Sequence, residues 1–316
     1  TGLVSADGAQ TVLMNPGLTF TSGVRVSHLH PSALPDVFKG EQLVVVGRYS
    51  GSGASAAVLE GKTAGATRKY TYDVSFPTEA TEHDFIPRLW ATRRVGYLLD
   101  EIRLHGDQSE LREEVVELAR RYGIVTPYTA YLIVEDEKQR GVPVTMQTQS
   151  PLQQDSEARE EVSAHYSKLL RERYGIRAVS GARSDMALRS ANAPASAIAS
   201  GNVEAQRGLA PAPAAGAGVG SAGQPSVSAT TVPSASRVAQ QTQQGQFVGG
   251  RTFYQNGEQW IDSQIQSLKD PRRVRLQVAS KEYFDLLRRE PQARAWLALG
   301  TQVQFALNGT VYEVYE

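Results

Sequence analysis

Apolar and polar positions alternate over the first quarter of the chain. Val24, Val26 and Leu29 lie early in a strand-rich stretch, residues 18–76. Leu43, Val44, Val45 and Val46 form an unbroken apolar run between Gly40 and Gly47, the pattern of a strand covered on both faces. Gly51-Ser52-Gly53 is a turn, and Ala57-Val58-Leu59 leads to Gly61. Tyr70, Tyr72 and Val74 then alternate with Thr71 and Asp73, as in a half-buried strand. Short strands at this spacing predict a β-sandwich.

The period changes after Glu82. Ile86, Leu89, Trp90, Leu98 and Ile102 keep near-helical spacing as far as His105, with Pro87 in the first turn and Gly106 past the end. A second helix follows. Asp107 and Glu110 have the offset of a capping box, and Leu111, Val115, Leu118 and Tyr122 fall on one face. Arg120 and Arg121 complement its C-terminal dipole, and Gly123 suits the left-handed residue beyond it. Residues 123–136 read as a strand, and residues 157–174 as a third helix stopped by Gly175. From 179 to 246 the composition reduces to Ala, Ser, Gly, Pro and Gln. Such a stretch has little apolar surface to offset its chain entropy, which predicts a disordered linker that proteases cut first. Beyond Phe247, Asn256-Gly257 joins two apolar runs as a hairpin. Val274, Leu276 and Val278 alternate as a strand, and Ser280 caps a helix carrying Tyr283, Phe284, Leu286 and Leu287. A helical turn or two spans 291–299. Val303, Phe305 and Leu307 then pass through Asn308-Gly309 to Val311 and Val314. The fold class is α+β: a β-sandwich segment at 1–80, a helical segment with one strand at 81–178, a long disordered linker at 179–246, and a small α+β domain at 247–316.

Composition narrows the function classes. The chain has 316 residues, 41% of them hydrophobic, with 33 basic and 33 acidic side chains and zero formal charge. That balance removes the electrostatic argument for nucleic acid as a partner. No apolar run reaches the roughly 18 residues that span a bilayer. The absence of cysteine excludes disulfides, thiol catalysis and cysteine–zinc sites, and is compatible with either the cytosol or export. The chain opens at Thr1 with nothing that reads as a signal peptide, the expectation for a fragment or processed product.

Candidate chemistry is sparse. His28 and His30 share one face of a strand, but no third ligand accompanies them, so no metal site is expected. Asp100 with Glu101, and Glu113 with Glu114, are adjacent helical positions that point in different directions, the pattern of a solvated face. There is no nucleophile elbow, and Gly51-Ser52-Gly53 lacks the ending of a phosphate loop. No catalytic or cofactor-binding residue is therefore expected. Arg88, Trp90, Arg93 and Arg94 lie on or beside one helix and form the candidate ligand surface. The alternative packs the arginine stems over the core and pairs them with Asp100 and Glu101, with Trp90 as a core anchor. Asp270-Pro271-Arg272-Arg273 reads as an exposed basic turn, and Asn308-Gly309-Thr310 as a turn rather than a glycosylation site.

Three blocks carry a family resemblance. They are LPDVFKGEQLVVVGRY at 34–49; the stretch 85–136 with FIPRLWA, YLLDEIR and YGIVTPYT; and the tail from YFDLL at 283–287 to LALG at 297–300. They resemble the region after the von Willebrand factor A (VWA) domain in bacterial VIT/VWA proteins akin to inter-alpha-trypsin inhibitor heavy chains. The family's adhesion motif, Asp-x-Ser-x-Ser, does not occur here, so its metal site transfers to no residue of this chain. The resemblance implies an integrin-like hybrid sandwich into which the adhesion domain is inserted. It further implies a non-enzymatic adhesion or scaffold part of an exported bacterial protein (periplasmic, cell-surface or secreted), supporting an upstream VWA domain and binding a protein partner without a cofactor of its own. In that picture the linker lets the C-terminal domain engage a separate partner. The alternatives are a hydrolase with an unidentified carboxylate pair and a purely structural spacer.

Overall fold

The computed structural model describes residues 11–21, 23–80, 83, 85–172, 174–209 and 245–316. Their contacts divide into two units. One comprises Thr1–Arg94 with Arg189–Pro194, the other Val95–Leu188 with Ala195–Glu316.

The first unit is built on strands β1 (Thr11–Phe20), β2 (Arg25–His30), β3 (Val37–Phe38), β4 (Val46–Ser50), β5 (Gly53–Thr63) and β6 (Ala66–Phe76). A four-stranded sheet has the order β3-β1-β5-β6, and β2 pairs with β4 as a separate ribbon. The β5–β6 pairing is unbroken from Gly53↔Phe76 to Thr63↔Ala66. Its two-residue turn, Ala64-Gly65, has positive φ at both positions, matching the twist of the flanking strands. Gly61 is glycine because β1 crosses close by. A Cβ there would lie 2.6 Å from Leu13 Cγ and 2.9 Å from the Met14 carbonyl oxygen. Ribbon and sheet meet where the Tyr49 ring lies 4.8 Å from Phe76. The apolar run 43–46 is not a strand as expected. Only Val46 enters β4, and the Val44 carbonyl accepts a bond from the Arg93 guanidinium instead of a ladder partner.

Helix α1 (Phe85–His105) begins in the first unit and continues into the second. The second unit then adds α2 (Ser109–Tyr122), α3 (Pro127–Gln139), α4 (Ser150–Gln154), α5 (Ser156–Arg171) and most of α6 (Ile176–Arg189) and α7 (Pro194–Leu209). Gln108 is the N-cap of α2 and makes no side-chain cap bond; Asp107 pairs with Arg112 at 3.6 Å, so no capping box forms there. Gly123 ends α2 in the left-handed conformation, as expected.

Residues 127–139 are a helix, not the expected strand. Thr126 caps it, Thr129 completes a capping box, and Pro127 occupies the first turn. Tyr128, Ala130, Leu132, Ile133 and Val134 are all buried, and a helix covered all round shows no apolar stripe to distinguish it from a strand. Asp155 caps α5, and that helix ends at Arg171, before the expected Tyr174.

The expected linker needs a larger correction. Its first part is α6 and α7. The small residues there permit close helix packing. A Cβ on Gly181 would lie 2.3 Å from Leu169 Cδ1 in α5. One on Gly208 would lie 2.3 Å from Ser180 Oγ and 3.1 Å from the His165 ring. Residues 210–244 of the expected linker lie outside the described residues.

The C-terminal elements are β7 (Gly245–Val248), β8 (Arg251–Asn256), β9 (Gln259–Asp262), β10 (Arg272–Gln277), α8 (Lys281–Arg289), α9 (Ala293–Leu297), β11 (Val303–Leu307) and β12 (Thr310–Tyr315). They form a six-stranded mixed sheet of order β10-β12-β11-β9-β8-β7. Both hairpins, at Asn256-Gly257 and Asn308-Gly309, and the Ser280 cap fall where the sequence predicts them. Successive residues of β8 face opposite layers. Phe253 joins the core under α8 and α9 with Leu286, Trp296 and Phe305. Tyr254 joins Val125, Ala130, Val134, Leu152 and Val162 of the helical layer. The sheet is thus buried on both faces and shares its core with the helices, where the sequence suggested a separate lobe. The fold class is α+β.

Candidate functional site

The expected ligand surface on α1 is divided by burial. Trp90 is 6% exposed and Arg93 only 3%. The Trp90 indole donates to the His28 carbonyl oxygen at 2.9 Å, and the Arg48 guanidinium lies 5.3 Å from its ring centre. Arg93 donates to the carbonyl oxygens of Ala191 (2.7 Å), His30 (2.9 Å) and Val44 (2.6 Å), and to Asn192 Oδ1 at 3.1 Å. All four acceptors are neutral, and burial lowers the guanidinium pKa. Arg93 therefore clamps the end of β2 and two loop segments, and Trp90 is a core anchor. Arg88 and Arg94 are half-buried and engaged in interactions of their own. The four residues do not form one exposed patch.

His28 and His30 both place their rings 6.5 Å from Trp90, with His28 exposed and His30 buried. Among the described residues no group of three potential ligands could hold a metal ion. Asp100 is buried, not on a solvated face. It pairs with Arg103, whose Nε lies 3.3 Å from the buried Asp185. Glu101 pairs with His105 at 3.0 Å.

The second unit contains a cleft of about 300 Å³ between the end of α2 and the C-terminal sheet. Its position follows from how α2 ends. The last carbonyls of a helix have no partner within it. Here Thr252 Oγ1 donates to the Arg121 carbonyl at 2.8 Å, and the Tyr254 hydroxyl to that of Arg120 at 3.0 Å. Docking by β8 fixes where Glu117, Arg120 and Arg121 stand. Opposite them are Arg251, Ser263 and Gln264, with Asn308 and Gly309 of the β11–β12 turn.

Two of the three guanidiniums are committed. Arg251 donates to Asp262 Oδ2 at 2.8 Å and to the Ala306 carbonyl, with its plane 4.2 Å from the Trp296 ring centre. Burial raises the pKa of Asp262, opposed by bonds from the Gln264 and Ala306 amides and by Arg251. Arg120 pairs with Asp136, and its Nε lies 4.0 Å from Oε1 of the fully buried Glu137. That oxygen accepts from the Thr148 amide and hydroxyl and from Gln266 Nε2. Arg121 is exposed, lies over its neighbour Tyr122, and has no carboxylate partner among the described residues. The sequence shows Arg120 and Arg121 only as a helix end and Asn308-Gly309 only as a turn. Arg251 and Ser263 carry no signal there, because it is the docking of β8 side chains on the end of α2 that brings them in.

No family model matches the chain, and no solved structure matches it. Among curated proteins it is similar to human inter-alpha-trypsin inhibitor heavy chain H4, with 27% identity over 121 residues, which is 33% of this chain and 12% of that protein. The match supports relatedness to an inter-alpha-trypsin inhibitor heavy chain. No helix among the described residues is long and apolar enough to cross a membrane.

Proposed function

We propose that this chain is the non-enzymatic adhesion or scaffold part of an exported bacterial VIT/VWA protein, supporting an upstream metal-dependent protein-binding domain. The observation that carries the reading is the similarity to a heavy chain. Its mechanism is presentation. Trp90 and the Arg93 clamp stiffen the first unit from within, and α2 to β12 supply a second unit whose helices and sheet share one core. This revises the tethered-lobe picture: the C-terminal sheet acts with the helices and not as an independent binder. The hydrolase alternative would rest on Asp100 and Asp185, the buried carboxylates bridged by Arg103.

The test is surface plasmon resonance on immobilised matrix proteins, comparing the complete gene product with this chain alone. The complete product should bind in manganese and release in chelator, while this chain alone shows no metal-dependent binding. Metal-independent binding of the complete product, or turnover of peptide or glycoside substrates abolished by Asp185→Asn, would defeat the proposal.

A further inference from the structure

Strand β6 is a bare edge of the four-stranded sheet in the first unit. It runs 11 residues, about twice the length of a common strand, with neither proline nor bulge, and among the described residues only β5 pairs with it. The opposite edge, β3, is two residues long. Which groups of β6 face outward follows from its hairpin. The two-residue turn closes on Thr63↔Ala66, and from there the ladder alternates between bonded and unbonded pairs. The Ala56 carbonyl oxygen accepts from the amide of Thr21, just past β1, so the even-numbered residues of β5 bond away from β6. The odd-numbered residues of β5 and their even-numbered partners in β6 therefore bond each other. Thr67, Lys69, Thr71, Asp73 and Ser75 turn their amides and carbonyls outward, and all of these side chains are exposed. Glu60 stands opposite Lys69 on β5 but makes no ion pair with it, and neither Lys69 nor Asp73 has an ion-pair partner among the described residues.

We infer that β6 pairs with β6 of a second copy of this chain, antiparallel about a twofold axis through Thr71. Opposed residues of an antiparallel ladder both bond across the seam or both turn away from it, so odd positions of β6 can face only odd positions of the second copy. Among those registers, the one centred on Thr71 sets Lys69 against Asp73 of the second copy, and symmetry repeats the pair at the other end of the seam. Thr67 meets Ser75, so every outward amide and carbonyl named above is used. On the other face of the sheet Tyr70 meets Tyr72, covering a ring that is 37% exposed in the single chain. Centring on Tyr70 opposes Lys69 to Thr71, and centring on Tyr72 opposes Lys69 to Ser75. The charges of β6 are Arg68, Lys69 and Asp73, and no other permitted register opposes unlike ones. An edge lysine ordinarily deters strand pairing; here the second copy supplies its carboxylate. This inference stands independently of the adhesion reading and would survive its failure.

Sedimentation velocity of the full chain over a concentration series should show a reversible monomer–dimer equilibrium. Asp73→Lys sets like charges opposite each other at both ends of the seam and should raise the dimer dissociation constant at least about tenfold. Asp73 stands opposite Ala56 on β5, so this change places no charge against a charge within the chain's own hairpin. Lys69→Asp should weaken the dimer in the same way. Mixed in equal amounts, the two variants bring unlike charges together at both ends and should recover the dimer, which mixing two misfolded chains would not do. Thr71→Pro removes an amide that bonds nothing in the single chain and should abolish pairing. A chain that stays monomeric across the series, a dimer equally tight in Asp73→Lys and Thr71→Pro, or charge variants that do not recover on mixing would each overturn the inference.

Discussion

The Tyr254 hydroxyl donates to the Arg120 carbonyl oxygen at 3.0 Å, and with that bond a strand of the C-terminal sheet closes the open end of a helix more than a hundred residues earlier in the chain. Its ring sits in the helical core, while its neighbour Phe253 sits in the core beneath α8 and α9. One strand therefore commits two consecutive side chains to two layers, so the layers should lose stability together.

Replacing Tyr254 by Phe removes the hydroxyl and keeps the ring. The expected loss is about 1–2 kcal/mol, because buried carbonyls are left short of a donor. Tyr254→Ala should cost about 3–5 kcal/mol. In urea, helical circular dichroism and the fluorescence of Trp260 and Trp296 should shift together in both variants. A sheet transition that moves while the helical transition stays fixed would restore the picture of independent lobes.

Two glycines of α7 should respond with opposite sign. At Gly201 the nearest atom to an added Cβ is Ser184 Oγ at 3.5 Å, an ordinary contact, so Gly201→Ala should stabilise by up to ~1 kcal/mol through helix propensity. At Gly208 the Cβ would lie 2.3 Å from Ser180 Oγ and 3.1 Å from His165 Cε1 and Nε2, so Gly208→Ala should destabilise by about 1–3 kcal/mol. Thermal unfolding of the two variants checks this. Silence at both positions would mean that this stretch does not pack.

The same stretch shows where reading the sequence succeeded and where it did not. Strong local punctuation was legible: Asn256-Gly257, Asn308-Gly309, the Ser280 cap and Gly123 all act over a few residues. The Ala/Gly/Ser composition of α6 and α7 is ambiguous by itself, because small residues serve close helix packing as well as flexible chains, and only the partner surface distinguishes the two. The 127–139 helix was missed for a related reason, since burial on every side erases the periodicity that distinguishes helix from strand. The arginines of α1 stand out in the sequence as a ligand candidate, whereas burial makes Arg93 an internal clamp. The cleft residues were not legible, being brought together by side chains of β8 that bond the end of α2 more than a hundred residues away.

Arg93→Ala should cost about 3 kcal/mol or more, since it leaves three backbone carbonyls short of a donor in a buried site. Arg93→Lys should recover only part of that, because a single ammonium cannot reach acceptors spread around a planar fork. Trp90→Ala should cost about 3–5 kcal/mol, as for other buried aromatics. Urea unfolding of all three variants decides. Losses below about 1 kcal/mol would return Trp90 and Arg93 to the surface and reopen them as a ligand site.

His165 should make stability depend on pH in the acid range. Its Nε2 lies 2.9 Å from the Tyr128 hydroxyl, with the two rings stacked, and its pKa is pulled down to about 4. Burial is the main cause; Arg177 and Lys168 act in the same direction and Glu172 opposes them. In the unfolded chain the group titrates near 6.5. Between these values the unfolded state binds more protons than the folded one, so stability rises with pH across that window. The contribution is fully present above about pH 6.5 and is lost as pH falls toward 4, on the order of 2 kcal/mol after allowance for residual solvent screening. Other acid-titrating groups add slopes of their own, so the useful quantity is the difference between the wild type and His165→Gln, measured by urea unfolding in half-unit pH steps. The variant should be the less stable protein at pH 7, where the packed imidazole is neutral, and the difference should shrink as pH falls through 6 and 5. A difference that stays constant from pH 7 to pH 4 would show that His165 titrates alike in both states, and the buried Tyr128–His165 pair would then have no part in the acid response.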